Sequence, residues 1–428
     1  MAVDFSLLPA ETPVSHKGPS PFVWSIVFVV LTLAGIAFAL WTWPRNAKTQ
    51  TSWFWFTVVV IPVCLSGALV LRRFSHFYKW RSRAQSDNRL RKVYIDMVFD
   101  VASVPLAVLS AQYRLHVDEK ENTFDAIVAR SASLPTRPAK ASREMIVASC
   151  LEPASAALMF NDKERQGAVL KWILRSFAPQ IADVLDSVPM RIPIRVHLDI
   201  TGFDLSSETI LAVWDGLPES VRPSRLSEKP VIEPNGGLWL VDTMLDRTDP
   251  ALRDVVTLLI SANLSHLYTK DPEPGSAEAA CMFMLCPAEL AHKEKLSVAG
   301  WLHRPQSNTS NPPEGAMHYA LKWGRTTGGA VGGTIQTGFD EGNAAQMQIA
   351  LTAAGRSAAG SASSDFALET LVGQTGPTAP WLASALALDR AIASNAPYIV
   401  GVQDEAQVLL AVLAPAEQHT QQDVPKND

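Results

Sequence analysis

Four cysteines in 428 residues are too few for a disulfide scaffold. Charged residues make up only 18% of the chain against 47% hydrophobic, a balance that suits a protein with a real core and excludes disordered and collagen-like classes. Repeats with a period of about 20–50 residues are missing, which argues against a solenoid. The short enzyme signatures are missing too: there is no Walker loop, no dinucleotide fingerprint and no H-E-x-x-H. The run Gly355-Arg356-Ser357-Ala358-Ala359-Gly360 misses the G-x-S-x-G elbow by one residue, and that spacing is what presents a serine on a strained strand–helix turn. Cations are scarce where a nucleic acid would need them. The net charge of −5 conceals eleven Lys/Arg against three Asp/Glu in residues 1–92, and 26 against 39 in residues 93–428. An acidic body argues against nucleic acid as a partner.

What is present begins with two apolar runs. Phe22 to Trp43 carries no charge over 22 positions, a helical length of about 33 Å against a hydrocarbon core of about 30 Å. Trp53 to Leu71 gives a second run of 19, with Pro62 inside it as a tolerable kink. Trp24, Trp41, Trp43, Trp53 and Trp55 lie near the run ends, where an indole keeps its ring apolar and its N–H wet. The first run is too long for a signal-peptide core and lacks a basic segment just before it, so the pair reads as a transmembrane hairpin. After the second run come Arg72, Arg73, Lys79, Arg81, Arg83, Arg89, Arg91 and Lys92, interleaved with Phe74, Phe77, Tyr78 and Trp80. Retention of cations on the cytoplasmic side places both termini inside. The same collar suits an interfacial helix beside anionic lipid. The expected layout is an N-terminal tail (1–21), the hairpin (22–71, spans 22–43 and 53–71), a basic juxtamembrane segment (72–92), a cytosolic domain (93–416) and a disordered tail (417–428).

Beyond Val93, short β-like runs alternate with helical periods, which predicts a layered α/β domain with a mixed sheet. Strands are expected at Pro105–Ser110, Met145–Ser149, Ile194–Ile200, Leu238–Asp242, Val255–Ala262, Ala279–Cys286, Leu296–Trp301, Tyr398–Val402 and Gln407–Leu413. Several are unbroken apolar runs, as in strands covered on both faces. Helices are expected at Gln166–Leu185 (broken or kinked near Pro179), Ser207–Trp214, Asn343–Ala354 and Trp381–Ser394. Leu134–Ser142, His303–Glu314 and the glycine-rich stretch Gly324 to Gly342 read as loops.

Candidate chemistry is thin. Cys281 and Cys286, five apart on a strand, point to opposite faces and read as core, not as a shared metal site. Asp199, Asp204, Asp242, Asp246, Asp249 and Asp254 suit a metal or an acid/base pair, with Asp199 and Asp242 at strand ends where α/β proteins place their sites. Caps and turns use the same residues, and the structural reading is preferred. His197, between Val196 and Leu198 on a strand, reads as a satisfied core or half-buried histidine. The segment from Thr326 to Gly333 holds two glycine pairs that would suit a phosphate, but no basic helix follows, so a flexible loop or hairpin is expected. No residue set is assigned to catalysis, cofactor or metal, and no cofactor is expected.

Two resemblances follow from these residues. The order VVTLLISA, GSAEAACMFML and YIVGVQDEAQVLLAVL is similar to the strand arrangement of thiolase-like ketosynthase folds. Where that family has a histidine before its G-T-G-T run, this chain has Val331 before Gly332-Gly333-Thr334, and no cysteine opens a mid-fold helix. The resemblance therefore implies the fold in degenerate form, without its chemistry. The whole layout (short polar N-terminus, hydrophobic anchor, acidic α/β body) resembles the type VI secretion lipase-adapter family, which implies an inner-membrane adapter that holds a lipase effector. The expected function is a non-enzymatic adapter or scaffold with a protein partner. The alternative is a membrane-proximal acyl-transfer or hydrolase enzyme using Cys150 or an unplaced serine.

Overall fold

A computed structural model describes residues 9–416 apart from 15–17, 45–47, 131–134, 203–204, 218–225, 227–228, 233–235, 247–253, 308–312, 358–363 and 405–406. The tail from Glu417, Lys17, Arg45, Asp204 and Asp249 therefore lie outside the described residues. The chain divides into two compact units, Asp4–Phe99 and Asp100–Asp428.

The first unit is a helical hairpin. Helices Pro21–Thr42 and Ser52–Ala102 are both long and apolar enough to cross a membrane. The first buries none of its residues, so its apolar side chains point outward. A π-helical turn at Phe56–Val60 precedes Pro62, giving the proline ring room where a regular turn would crowd it. The helices meet closely where glycine allows: a Cβ on Gly35 would stand 2.8 Å from Pro62. Trp43 meets Phe54 edge-on at 5.0 Å, nearer the turn. The helix does not stop at the end of the apolar run but carries the basic collar on through Ala102. Along that extension lies the N-terminal segment. Arg91 donates to the Pro9 carbonyl, and Thr12 and Asn88 exchange amide hydrogen bonds of 2.9 and 3.0 Å.

The second unit is built on strands β1 (Leu106–Arg114), β2 (Thr136–Pro138), β3 (Met145–Val147), β4 (Ile194–Thr201), β5 (Val256–Asn263), β6 (Ala279–Pro287), β7 (Gly300–Leu302), β8 (Gln306–Ser307), β9 (Gly333–Thr337), β10 (Asp365–Ala367), β11 (Tyr398–Asp404) and β12 (Gln407–Pro415). Ten of these form one mixed sheet in the order β10-β9-β11-β12-β7-β1-β6-β5-β4, with β8 also on β12; β2 and β3 make a separate ribbon. The pairs β4–β5, β9–β11 and β9–β10 are parallel and the remaining neighbours antiparallel.

The apolar alternation explains the layers. On β6, Ala280, Met282, Met284 and Cys286 pack on one side with Leu170, Ile173 and Phe177 of helix Asp162–Ser187. Cys281, Phe283 and Leu285 pack on the other side with helix Ala379–Ser394. On β12, Leu409, Ala411 and Leu413 join that same helix, while Val408, Leu410 and Val412 face helices Pro313–Trp323 and Glu341–Ala353. Helix Ala379–Ser394 thus fills the space between two parts of the sheet, which is why it is buried nearly all round. A bulge at Leu109 flips the side-chain parity of β1 and turns Tyr113 to the inner side, where its hydroxyl donates to Asp389 at 3.0 Å.

The layered α/β reading with a mixed sheet holds, and several local expectations do not. Leu238–Asp242 is not a strand but opens the helix Trp239–Leu245, after Gly236 and Gly237 at positive φ. The run has a helical period, with Val241 and Met244 buried and Asp242 turned to Arg304. The glycine-rich stretch is not a flexible loop or hairpin: it is a short 3-10 turn followed by the fully buried β9. The supposed loop His303–Glu314 contains β8 and ends in the start of helix Pro313–Trp323. Leu134–Ser142 contains β2, and β3 stops at Val147. Helix Asp162–Ser187 runs through Pro179 unbroken, because the proline lies on the exposed side, where a freed carbonyl is hydrated.

Candidate functional site

Helix Ala379–Ser394 begins at a cavity of about 480 Å³. The ends of the parallel strands β9 and β11 supply Thr337, Gly338, Gln403 and Asp404, and β4 supplies Asp199. The segment before the helix supplies Gln374, Thr375, Gly376 and Pro377. Crevices outside the carboxyl ends of parallel strands are where α/β folds hold ligands.

Each wall is fixed by its own hydrogen bonds. Gln374 is threaded by main-chain bonds of 2.8 Å to Gly275 and from Ala277. Gly376 sits at φ +54°, and an added Cβ would meet Asn263 at 3.3 Å. Thr378, which precedes the helix, shares a 3.0 Å hydroxyl hydrogen bond with Ser261 of β5, both wholly buried. Glu369 accepts from the Thr337 hydroxyl and the Gly338 N–H, each at 2.7 Å. The hydroxyl of Thr375, also buried, makes no hydrogen bond among the described residues. The lining thus sets carboxylates, amides and hydroxyls beside apolar Leu238, Trp239, Val402 and Leu409, and among the described residues neither cysteine nor histidine belongs to it. Thiolate chemistry needs a lowered thiol pKa and imidazole chemistry a nearby ring.

The residues singled out in the sequence scatter. Asp199 reaches this cavity. Asp242 and Asp246 instead both accept from Arg304, whose Nε donates to the Ala102 carbonyl at 3.1 Å. Asp254 faces Lys293 at 3.8 Å. His197 is half-buried on β4 and bridged through its backbone to Val231. Cys281 and Cys286 do point to opposite faces, in separate core clusters. Among the described residues no group of three His, Cys, Asp or Glu is placed to hold a metal.

The glycine pairs hold no phosphate cradle. A Cβ on Gly333 would lie 2.2 Å from the Ser364 carbonyl, and one on Gly328 would lie 2.5 Å from that of Ala354. These glycines are there so that backbones can touch.

Cys150 stands apart from the cavity, and its surroundings oppose thiolate formation. Burial, followed by the Glu278 carboxylate, pushes the thiol up to about 12 against the pull of Arg137 and Arg165. A different cavity of about 470 Å³ is lined by His116 and Ser149, next to Cys150 in sequence, but Cys150 is not part of it. There the His116 Nδ1 accepts from the Asp118 N–H at 3.1 Å. Glu369, Gln374, Thr375 and Gln403 were not foreseen. Their signal was the Thr375-Gly376-Pro377-Thr378 run ahead of an alanine-rich apolar helix, a helix start with a proline next to it.

No family model matches this chain, and no curated protein matches it, so the lipase-adapter resemblance stands on chain layout alone. Solved structures do match. The ishigamide ketosynthase/chain length factor is 16% identical, with 73% of this chain and 98% of that one covered and a TM-score of 0.45. The ketosynthase from module 6 of the bacillaene synthase of Bacillus subtilis is 11% identical, with 73% and 70% covered and a TM-score of 0.48. The peroxisomal 3-ketoacyl-CoA thiolase of Saccharomyces cerevisiae is 9% identical, with 73% and 98% covered and a TM-score of 0.39. Each lies below a TM-score of 0.5, and none assigns a residue role or an activity to this chain.

Proposed function

We propose that this protein is a membrane-anchored, non-enzymatic adapter whose α/β body holds another protein. The observation that carries the reading is the anchor, two helices long and apolar enough to cross a membrane; the cavity at the start of helix Ala379–Ser394 offers carboxylates and amides, and no cysteine or histidine among the described residues. The raised thiol of Cys150 adds to it, since the residue favoured for an acyl-enzyme is held neutral.

The outward apolar surface of Pro21–Thr42 supports the anchor: a soluble core helix would bury that face. Pairing of Pro9 and Thr12 with Arg91 and Asn88 supports one side for the N-terminal segment and the collar. The cation bias supports the cytoplasm as that side, and a bacterial inner membrane is what the layout resemblance implies for the hairpin. The partner class is an effector protein awaiting export. A type VI secretion lipase is the specific candidate that the layout implies.

Affinity capture of the full chain from detergent-solubilised membranes tests the adapter role, with one partner recovered in stoichiometric amount as the expected result. Recovery of the chain alone would sink it, as would covalent labelling by an acyl or fluorophosphonate probe at an active residue. Protease treatment of inside-out vesicles tests the orientation, and a protected C-terminus would reverse it.

A further inference from the structure

The cavity at the start of helix Ala379–Ser394 is one-sided in charge. Asp199, Glu369 and Asp404 line it, and no lysine, arginine or histidine does so among the described residues. The three carboxylates differ in depth: Asp199 is buried, Glu369 half-buried and Asp404 exposed. Acids on a surface are common, but here several acceptors stand open. Both hydrogen bonds to the Glu369 carboxylate fall on Oε1, so Oε2 accepts none among the described residues. The Asp404 side chain makes no hydrogen bond or ion pair with any described residue. In the same wall the Thr375 hydroxyl is unpartnered, on a residue only 1% exposed. A buried hydroxyl left in that state costs about 1–3 kcal/mol, which a ligand that bonds to it would recover.

We infer that this cavity binds an organic cation, an alkylammonium or guanidinium group carried on an apolar stem. An ammonium brings three N–H donors and a guanidinium five, with no acceptor, which complements a lining of open acceptors. Leu238, Val402 and Leu409 offer apolar surface to the stem, and Trp239 adds an aromatic ring that attracts a cation. A bare metal ion is the poorer occupant, because no three acids among the described residues are placed to share one.

Helix dipoles work against a cation here, and they are outweighed. Helices Trp239–Leu245 and Ala379–Ser394 both start at the cavity. Each N-terminus supplies about half a positive charge, against three carboxylates. Pro380, in the first turn of the second helix, also lacks an N–H to offer an anion.

A volume of about 480 Å³ admits one long side chain of a protein or a small free amine. The first source, an arginine or lysine of the bound protein, rests on the adapter reading proposed above. The second does not.

The test is calorimetric titration of the full chain in detergent with three compounds. Acetyl-arginine methylamide presents the side chain as a protein does, agmatine is a free amine with the same guanidinium, and acetyl-citrulline methylamide is the neutral counterpart. At least one of the two cations is expected to bind saturably and about ten times or more tighter than the citrulline compound. Glu369→Gln is expected to weaken that binding about tenfold and Asp404→Asn severalfold. Glu369 also holds Thr337 and Gly338, whereas the Asp404 side chain holds nothing, so Asp404→Asn decides if Glu369→Gln fails to fold. Equal affinity for the arginine and citrulline compounds would overturn the inference. So would failure of both cations to bind, or unchanged affinity in Asp404→Asn. Binding of agmatine alone would assign the site to a free amine. Capture of a protein partner at undiminished yield by Asp404→Asn would keep the adapter and break only its link to this cavity.

Discussion

Arg165 and Glu278 form an ion pair of 2.5 Å between side chains that are both entirely out of solvent. Around it, Glu278 also accepts from the main-chain N–H groups of Leu151 and Ser265, each at 2.8 Å, and Arg165 donates to their carbonyls. The pair thus ties the segment after β3 and the segment after β5 to the start of β6. Removing one member strands a buried charge, at a cost of about 3–5 kcal/mol. Glu278→Gln is therefore expected to lower the stability of the body by that amount in denaturant titration of the detergent-solubilised chain. A loss under 1 kcal/mol would mean that the site opens to water.

Asp162 is one source of acid sensitivity in the body. Burial alone would raise its carboxyl, but hydrogen bonds from the Leu267 N–H, the Thr269 hydroxyl and the Thr269 and Tyr268 N–H groups bring it down to about 2. The folded value lies below the unfolded one near 4, so the stabilisation is whole above about pH 4 and drains as pH falls toward 2. Asp162→Asn is expected to lose about 2 kcal/mol at neutral pH and to show a smaller decline than the parent between about pH 4 and 2. Parallel stability curves for the two proteins across that range would contradict this.

Cys150 is expected to react with iodoacetamide at pH 8 about a thousand times more slowly than an ordinary cysteine, because its thiol stands about three units higher. Glu278→Gln removes one source of the rise and should speed the reaction. Labelling of the parent at the ordinary rate would return Cys150 to the list of nucleophiles.

Two glycines should respond in opposite ways to alanine. Gly333→Ala drives a methyl into the Ser364 carbonyl and the Tyr398 ring and should cost about 3 kcal/mol or prevent folding. Gly167→Ala meets nothing within 4 Å inside helix Asp162–Ser187 and should add about 0.5–1 kcal/mol. Thermal melts of both variants decide the matter.

The sequence spoke clearly where burial was two-sided. The runs at β5, β6 and β12 are unbroken and apolar because neighbouring residues enter different cores, and their positions were legible to within a residue or two. LWLVD at Leu238–Asp242 failed for the same reason in reverse, since a short apolar run fits a buried helix turn as well as a strand. β9 was hidden because its neighbours Ser364 and Tyr398 demand glycine, the residue that most weakens a strand signal. Of the cavity, only Asp199 was named. The rest is drawn from strand ends and one pre-helix segment far apart in sequence, which periodicity cannot bring together.

Helix Ala379–Ser394 has one further consequence, in the order of synthesis. The inner faces of β1, β5 and β6 leave the ribosome long before the helix that covers them, which follows β10 in the chain. At about 5–20 residues per second, that apolar surface stays bare for many seconds. A nascent chain of this protein thus lacks one wall of its core until that helix has emerged and needs chaperone cover in the meantime. Truncations that remove the final helix and hairpin should be insoluble, however much of the sheet they retain.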